Sequence, residues 1–251
     1  MTGQSSVLEA VDVVKELGSG AGKITALKGV SLGLMPGELT LLMGPSGSGK
    51  TTLLSILGCI MTPTTGRIRV AGHDTEGLKA EELARLRREH IGFIFQSYNL
   101  FPTLSALENV RIALDVCGFK GFKAAARAEE CLREVGLGHR LKYHPANMSG
   151  GEQQRVAVAR AIATSPSVIL ADEPTAALDT ENGQQVMALL SRIAKDQNRS
   201  VLVVTHDPRT KPFADRTVKI EDGLIVDEER RPEGLDAPQI TDLTKRRKAH
   251  G

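Results

Sequence analysis

One segment of the sequence has the residue types and spacing of a phosphate cradle. Residues 44–51 read GPSGSGKT and match the pattern G-x-x-x-x-G-K-[ST]. Glycines at this spacing let backbone N–H groups turn inward toward phosphate oxygens, and a following helix adds its partial positive charge. An apolar run enters this segment and a helical pattern leaves it, which argues against a chance match. The residues predicted to bind nucleotide here are Gly44, Pro45, Ser46, Gly47, Ser48, Gly49, Lys50, Thr51 and Thr52.

Two side chains of this cradle have distinct chemistry. Lys50 would place a point charge on the β- and γ-phosphates, and the Thr51 hydroxyl would serve Mg²⁺. Two carboxylates, Asp172 and Glu173, follow the buried strand predicted at 168–171. Because neighbouring strand residues point to opposite faces, we assign Asp172 and Glu173 different roles. Asp172 would join the Mg²⁺ shell and Glu173 would act as general base, although an acidic pair of this kind also caps ordinary helices.

A third segment, residues 147–155, reads NMSGGEQQR. Ser149 and Glu152 have the spacing of a capping box at the start of a helix. Gly150 and Gly151 leave the backbone N–H groups open, so this helix start also suits an anion. An ordinary capped helix has the same pattern, and the spacing alone leaves the choice open.

The elements that position these residues follow a strand–helix alternation. Continuous apolar runs predict strands covered on both faces, and longer helical patterns lie between them. This alternation indicates an α/β fold with a central parallel sheet. The predicted strands are 39–43, 91–95, 168–171 and 201–204, and the predicted helices are 51–59, 79–88, 123–135, 151–163 and 181–196.

Residues 97–150 interrupt this alternation, with helices predicted to begin near Ser105 and Lys123. Five of the six phenylalanines lie between Phe93 and Phe122. We interpret the region as a helical insertion whose aromatic residues form a small core, with a partner-docking groove as the second interpretation. Residues 1–226 would form one domain, and the polar residues 227–251 an extended or disordered tail.

Composition excludes several classes of protein. A formal net charge of +2 argues against a dedicated nucleic-acid binder. No apolar run approaches the roughly 18 residues of a membrane span, and the N-terminus does not resemble a secretory signal. Three widely spaced cysteines predict a reducing compartment and no disulfide framework. We therefore expect a cytosolic globular protein.

The motifs GPSGSGKT, Gln96, MSGGEQQR, VILADE, Ala177-Leu178-Asp179 and His206 occur in the order found in ATP-binding cassette (ABC) transporter ATPases, which the chain resembles over roughly residues 7 to 226. The resemblance implies a P-loop ATPase core with a small antiparallel N-terminal sheet. It implies that Gln96 binds Mg²⁺ and senses the γ-phosphate, and that His206 contacts the γ-phosphate. Ser149, Gly150, Gly151 and Glu152 would form the signature loop, which contacts ATP of the opposite subunit. Asp179 would lie at the dimer interface.

A narrower resemblance is to ATPases of the lipoprotein-release, macrolide-efflux and cell-division permease group. It implies an ATP-dependent homodimer that drives a permease on a separate chain, at the cytoplasmic face of the inner membrane, for export or extraction from the membrane. Two alternatives remain: a force-transmitting or regulatory ATPase without cargo, and a soluble ABC ATPase acting on DNA or ribosomes.

The sequence departs from the ABC pattern at two positions. Met148 stands where leucine is usual in the signature, a swap that nearly conserves volume. Leu17 stands where an aromatic residue usually stacks on adenine, and no Phe, Tyr or Trp precedes Phe93. We expect Leu17 to cover the base by apolar contact alone.

Overall fold

The computed structural model describes residues 5–232 and 237–238. The α-helices are α1 Lys50–Leu57, α2 Ala80–His90, α3 Ala106–Val116, α4 Gly121–Glu134, α5 Gly150–Ile162 and α6 Thr180–Asp196. The strands are β1 Leu8–Leu17, β2 Ile24–Leu34, β3 Leu39–Met43, β4 Thr65–Val70, β5 His73–Asp74, β6 Ile91–Ile94, β7 Val168–Asp172, β8 Ser200–Thr205, β9 Arg216–Glu221 and β10 Leu224–Arg230. Short 3₁₀ turns occupy Gly20–Gly22, Pro145–Asn147 and Pro208–Phe213.

A six-stranded sheet with the order β10-β9-β3-β8-β7-β6 forms the centre of the fold. Strands β9, β3, β8, β7 and β6 run parallel, and β10 pairs antiparallel with β9 at the edge. Successive side chains of β3 enter opposite cores: Leu41 packs with residues of α3–α6, whereas Leu42 packs with α1 and the second sheet. Covering both faces explains why these strands read as continuous apolar runs. The predicted α/β class is confirmed.

The second sheet is antiparallel, with the order β2-β1-β4-β5, and lies on the α1 side of the first. The amide of Lys28 in β2 donates to the Gly223 carbonyl between β9 and β10 at 2.9 Å. The two sheets are therefore joined by a backbone hydrogen bond as well as by the shared core, which holds the end of β1 close to the phosphate loop.

Helices α3 and α4 lie between β6 and α5, where the sequence predicts an insertion. The core around them is aliphatic, with Val110, Leu114 and Leu132 fully buried. The interpretation of the aromatic residues as a core of the insertion is wrong, because Phe101, Phe119 and Phe122 are 47%, 45% and 86% exposed. Alanine and leucine at helical spacing close this core without them.

The sequence predicts that the polar residues after 226 form an extended or disordered tail, but some of them lie within the fold. Strand β10 continues through residues 227–230, four residues into the predicted tail. Arg230 contacts the buried Glu38 at 3.0 Å, and Arg216 contacts Glu228 at 2.8 Å. An edge strand accepts charged side chains on its solvent side, so polarity did not mark the end of the sheet. Residues 239–251, with the basic end of the tail, lie outside the described residues.

Candidate functional site

The parallel register brings four sequence motifs to one edge of the sheet. Met43 of β3 lies opposite Thr205 of β8, and Asp172 of β7 lies opposite Val204. Ile94 of β6 pairs with Ala171. The residues that follow these neighbouring strands therefore share the carboxyl edge, where open α/β sheets bind ligands. They are Gly44, His206, Glu173 and Gln96, from four distant segments.

The phosphate loop needs glycine at two positions because backbone lies against it. A Cβ on Gly44 would lie 2.0 Å from the carbonyl oxygen of Ile220 in β9. Gly49 has φ +101°, and its Cβ would lie 2.7 Å from the Ala26 carbonyl oxygen in β2. The loop thus fits tightly between the two sheets and turns directly into α1 at Lys50. Its curvature is fixed by packing.

Lys50 places its ammonium on the inside of this loop. Its Nζ donates to the carbonyl oxygens of Gly44 at 2.8 Å and Pro45 at 2.7 Å. Phosphate oxygens would be stronger acceptors for the same cation. The ammonium therefore lies against the loop carbonyls, and its contact with nucleotide phosphates stays a prediction.

Asp172 is a half-buried carboxyl at the end of β7. Burial raises its pKa, the adjacent Glu173 charge raises it further, and Lys50 lowers it. A divalent cation would offset both unfavourable causes. The Thr51 hydroxyl, the Gln96 amide and the Asp172 carboxyl, which the sequence predicts as ligands, would together supply oxygen donors with one carboxylate. This set fits Mg²⁺, which keeps several waters and substrate phosphates in its shell.

Glu173 and His206 form a direct pair. His206 Nδ1 lies 2.7 Å from Glu173 Oε1, and the glutamate side chain is 16% exposed against 71% for the histidine. Strand β7 ends at Asp172, and Glu173 has φ +45° with its N–H donating to Val204 O at 2.9 Å. The expectation that the two carboxylates are neighbours within the strand, separated by its pleat, is therefore wrong. Glu173 follows the strand in a left-handed backbone conformation, which costs about 1–3 kcal/mol for a non-glycine residue.

The signature turn is a capped helix start. Ser149 is the N-cap of α5, its Oγ accepting from Glu152 N at 3.2 Å while Glu152 Oε2 accepts from Ser149 N at 2.9 Å. Arg140 pairs with Glu152 at 3.0 Å. Burial alone would raise the pKa of the Glu152 carboxyl, but the Ser149 amide and the Arg140 charge lower it overall. The predicted capping box is present, and its acid is held ionised.

Gly150 and Gly151 are required by their neighbours. A Cβ on Gly150 would lie 3.0 Å from the Tyr98 hydroxyl, and one on Gly151 would lie 2.3 Å from Asn182 Oδ1. The turn is therefore attached to the segment after Gln96 and to the start of α6. None of the atoms nearest to Gly150 and Gly151 belongs to the phosphate loop of the same chain.

Asp179 and Leu17 lie at the ends of their elements. Asp179 is the N-cap of α6. Its carboxylate accepts from the Asn182 backbone N–H at 2.9 Å and from the Asn182 side-chain amide at 2.6 Å, and these bonds lower the pKa of Asp179.

Leu17 ends β1 and pairs with Ile24 of β2; both are exposed, at 37% and 67%. Ile24 is two residues from Ala26, which touches the phosphate loop. An aliphatic pair thus lies close to the loop.

Sequence reasoning missed three residues that connect these motifs. Arg160 of α5 donates to the carbonyl oxygens of Tyr98 and Asn99. Asn182 joins Asp179 to Gly151, and Ile24 accompanies Leu17. Arg160 binds backbone atoms about sixty residues away, and Asn182 meets Gly151 only in the folded chain, so no spacing pattern shows these two contacts.

The strand–loop–helix at residues 39–57, with a carboxylate pair at the end of β7 on the same edge of the sheet, defines a phosphate-loop nucleoside triphosphatase domain. A sequence model of the ABC transporter family matches residues 27–176. The chain belongs to the ABC transporter family, as one of its ATP-hydrolysing cassettes.

Relatives of known name resemble the chain over most of its length. The macrolide export ATP-binding/permease protein MacB of Salmonella paratyphi A is 45% identical over 94% of this chain. MacB of Escherichia coli K12 is 44% identical over 95% of it. The chain covers only 37% and 36% of these two relatives.

Solved structures show the same fold. The ATP-binding cassette MJ0796, described as a dimer in a post-hydrolysis state bound to ADP and Pi, has a TM-score of 0.80 and 41% identity. The match covers 89% of this chain and 98% of that one. CbiO1 of Clostridium perfringens, part of the ABC transporter complex cbiONQ, has a TM-score of 0.81 and 25% identity, covering 90% and 89%.

Asp172→Asn should stabilise the nucleotide-free protein at neutral pH. Because its pKa in the fold is raised above the ordinary 3.8, the ionised carboxylate is disfavoured there, and an amide removes that penalty. Thermal unfolding should show a higher Tm for the variant at pH 7. The gain should shrink as pH falls toward and below 3.8, where both states of the wild-type chain bind the proton.

The exposed Asp222 offers the matched control, since Asp222→Asn changes the same chemistry without a buried carboxylate. An unchanged or lower Tm for Asp172→Asn at pH 7 would contradict the assignment of a disfavoured charge at this position.

Proposed function

We propose that the chain binds and hydrolyses ATP as a head-to-tail homodimer and drives a membrane permease carried on another polypeptide or segment, for export or extraction of a substrate from the membrane. The observation that carries the proposal is the Glu173–His206 pair at the strand edge beside the phosphate loop. Support for the export role comes from the printed name of the MacB relatives, and support for the dimer from the MJ0796 structures.

ATP binding rests on the loop at 44–51. Backbone N–H groups of the loop and the start of α1 would donate to the phosphate oxygens, and Lys50 would exchange its two carbonyl partners for the β- and γ-phosphates. Thr51, Gln96 and Asp172 would hold Mg²⁺. When bound, the ion neutralises charge on the phosphates.

Hydrolysis requires a base for the attacking water. Glu173 takes the proton as the water oxygen attacks the γ-phosphorus and the bond to the ADP oxygen breaks. His206 holds the Glu173 carboxylate through Nδ1 at 2.7 Å, so its exposed Nε2 edge remains available to the γ-phosphate. The pair therefore orients the base and contributes a second contact to the transferred group.

The second half of each ATP site would come from the partner. The nearest neighbours of Gly150 and Gly151 are Tyr98, Leu178, Ala177 and Asn182 of their own chain, whereas the Ser149 turn is exposed. An exposed helix N-terminus is suited to an anion. We propose that Ser149, Gly150, Gly151 and Glu152 complete the site of the opposite subunit, with Asp179 between the two copies.

Location follows from the same proposal. Within residues 5–232 and 237–238, no helix is long and apolar enough to cross a membrane. We propose that the ATPase unit acts at the cytoplasmic face of the inner membrane, bound to the permease.

Glu173→Gln should bind ATP normally and hydrolyse it at least ~10²-fold more slowly, because the amide cannot accept the water proton. Gln keeps a polar contact to His206, so the site geometry should persist. Phosphate release measures turnover, and size-exclusion chromatography with ATP should show a stable dimer. Glu76→Gln, a change at an exposed glutamate after β5 of the second sheet, is the control and should leave turnover unaltered. Wild-type turnover in Glu173→Gln would refute the role of Glu173.

Ser149→Arg and Lys50→Ala should each abolish hydrolysis, but a mixture of the two should recover part of it. In a head-to-tail mixed dimer one composite site carries both lesions and the other carries neither. Phosphate release is measured for each variant alone and for the mixture, with mixed dimers verified by differently tagged subunits. Failure to regain activity in verified mixed dimers would contradict independent composite sites.

Leu17→Tyr should tighten nucleotide binding by about two- to twelvefold, since an aromatic contact adds roughly 0.5–1.5 kcal/mol. The wild-type chain should bind ATP and GTP comparably, because the phosphate contacts are common to both. Affinity is measured by titration with each nucleotide. Val11→Tyr is the matched control: Val11 is on the same strand and similarly exposed, at 39%. Unchanged or weaker binding by Leu17→Tyr would place Leu17 away from the base.

A further inference from the structure

The turn between α3 and α4 exposes apolar side chains that the fold does not use. We call residues 116–123, with the sequence VCGFKGFK, the aromatic–basic loop. Val116 is 65% exposed, Phe119 45% and Phe122 86%. The aliphatic core of α3 and α4 is complete without these rings. Large aromatic side chains kept in water beside a closed core indicate an interaction surface.

The backbone of the aromatic–basic loop has a defined conformation. The amides of Cys117 and Phe119 both donate to the Leu114 carbonyl at 3.0 Å, and Gly118 donates to Asp115 O at 3.1 Å. Gly118 and Gly121 have φ of +86° and +60°, and a Cβ on either would meet no atom within 4 Å. The loop is therefore a convex turn fixed by backbone hydrogen bonds, and its rings extend into solvent.

The two charged side chains of the aromatic–basic loop itself, Lys120 and Lys123, are both positive. Residues 116–128 contain Lys120, Lys123 and Arg127 and no carboxylate. Lys120 and Lys123 are exposed, and neither has an ion pair within the described part of the chain. The carboxylates at the margin are Asp115, which pairs with Arg111 at 3.4 Å, and Glu89 of α2, which faces Cys117. The surface thus combines aromatic side chains with unpaired cations.

The aromatic–basic loop also lies away from the ATP site. Cys117 Sγ contacts the Arg88 carbonyl at 3.6 Å, close to where β6 begins at Ile91. This is the amino end of the parallel strands, whereas the phosphate loop and the Glu173–His206 pair lie at the carboxyl end. Occupation of this surface therefore leaves nucleotide binding free.

We propose that the aromatic–basic loop docks on an anionic phospholipid bilayer, with Phe119 and Phe122 entering the headgroup region and Lys120 and Lys123 contacting lipid phosphates. Aromatic rings favour the interface between water and hydrocarbon, and lysines near an anionic surface each strengthen binding by roughly fivefold. A convex turn suits a planar, deformable surface, whereas a protein partner would need a matching concavity. The contact would orient the ATPase beside the membrane independently of any permease.

The absence of tryptophan from the chain makes a direct test possible. Phe122→Trp introduces a single tryptophan, which can be excited selectively, in the aromatic–basic loop. With vesicles of phosphatidylglycerol and phosphatidylcholine, its emission should shift to the blue and be quenched by brominated acyl chains. Phosphatidylcholine alone should have a much smaller effect. Val226→Trp, 51% exposed on β10 at the opposite edge of the sheet, is the control and should not respond.

Cosedimentation with the same vesicles measures how much Lys120, Lys123 and Phe122 contribute to the affinity for the membrane. Lys120→Gln with Lys123→Gln should weaken binding by about 25-fold and remove most of its salt dependence. Phe122→Ser should weaken binding to both vesicle types without changing ATPase activity in solution. Lys28→Gln with Lys142→Gln changes two other exposed lysines by the same chemistry and should have little effect.

Two results would overturn the proposal. One is a Phe122→Trp chain that binds ATP normally but whose emission ignores anionic vesicles. The other is a response that requires the permease in the vesicle and is absent with lipid alone, which would make the loop a protein-docking surface. Neither result affects the proposed ATPase function, because hydrolysis is measured without vesicles.

Discussion

The parallel register of four neighbouring strands is the constraint on which the site depends. With Met43 opposite Thr205 and Asp172 opposite Val204, the residues that follow each strand share one edge. A slip of one residue would reverse the face of every side chain and separate Glu173 from His206. The register is held because each strand is buried on both faces and its alternate side chains enter two different cores. The catalytic geometry is thus a consequence of core packing.

The sequence predicted the features governed by local chemistry. The loop at 44–51 matches a spacing that only a tight glycine turn satisfies, and the Ser149–Glu152 capping box is a local hydrogen-bond pattern; both are present. What escaped prediction depends on distant partners. The left-handed Glu173 is set by its bond to Val204, and residues 227–230 are held in the sheet by β9 and Glu38. The aromatic residues counted as core are exposed because helical alanines and leucines fill that space.

The segment after Gln96 is hydrogen-bonded to α5, the helix that begins at the signature turn. Tyr98 and Asn99 have φ of +60° and +49°, and both carbonyls accept from the Arg160 guanidinium of α5. The Tyr98 hydroxyl lies 3.0 Å from where a Cβ of Gly150 would stand. We therefore expect a shift of the segment after Gln96 to reach the signature turn at the helix N-terminus. Burial lowers the pKa of Arg160, yet the carbonyl oxygens solvate its charge within the fold.

A second set of contacts reaches the same turn from the other side of the site. Asp207, next to His206, pairs with Arg209, and Arg209 donates to the Thr180 hydroxyl at 2.9 Å. Thr180 begins α6 behind its cap Asp179, and Asn182 of that first turn packs against Gly151. The segment after Gln96 thus reaches the signature turn through the Tyr98 hydroxyl, and the segment after His206 reaches it through Arg209 and the first turn of α6. Because both routes end on glycines that their neighbours contact closely, we expect a displacement at the phosphate edge to reach this turn.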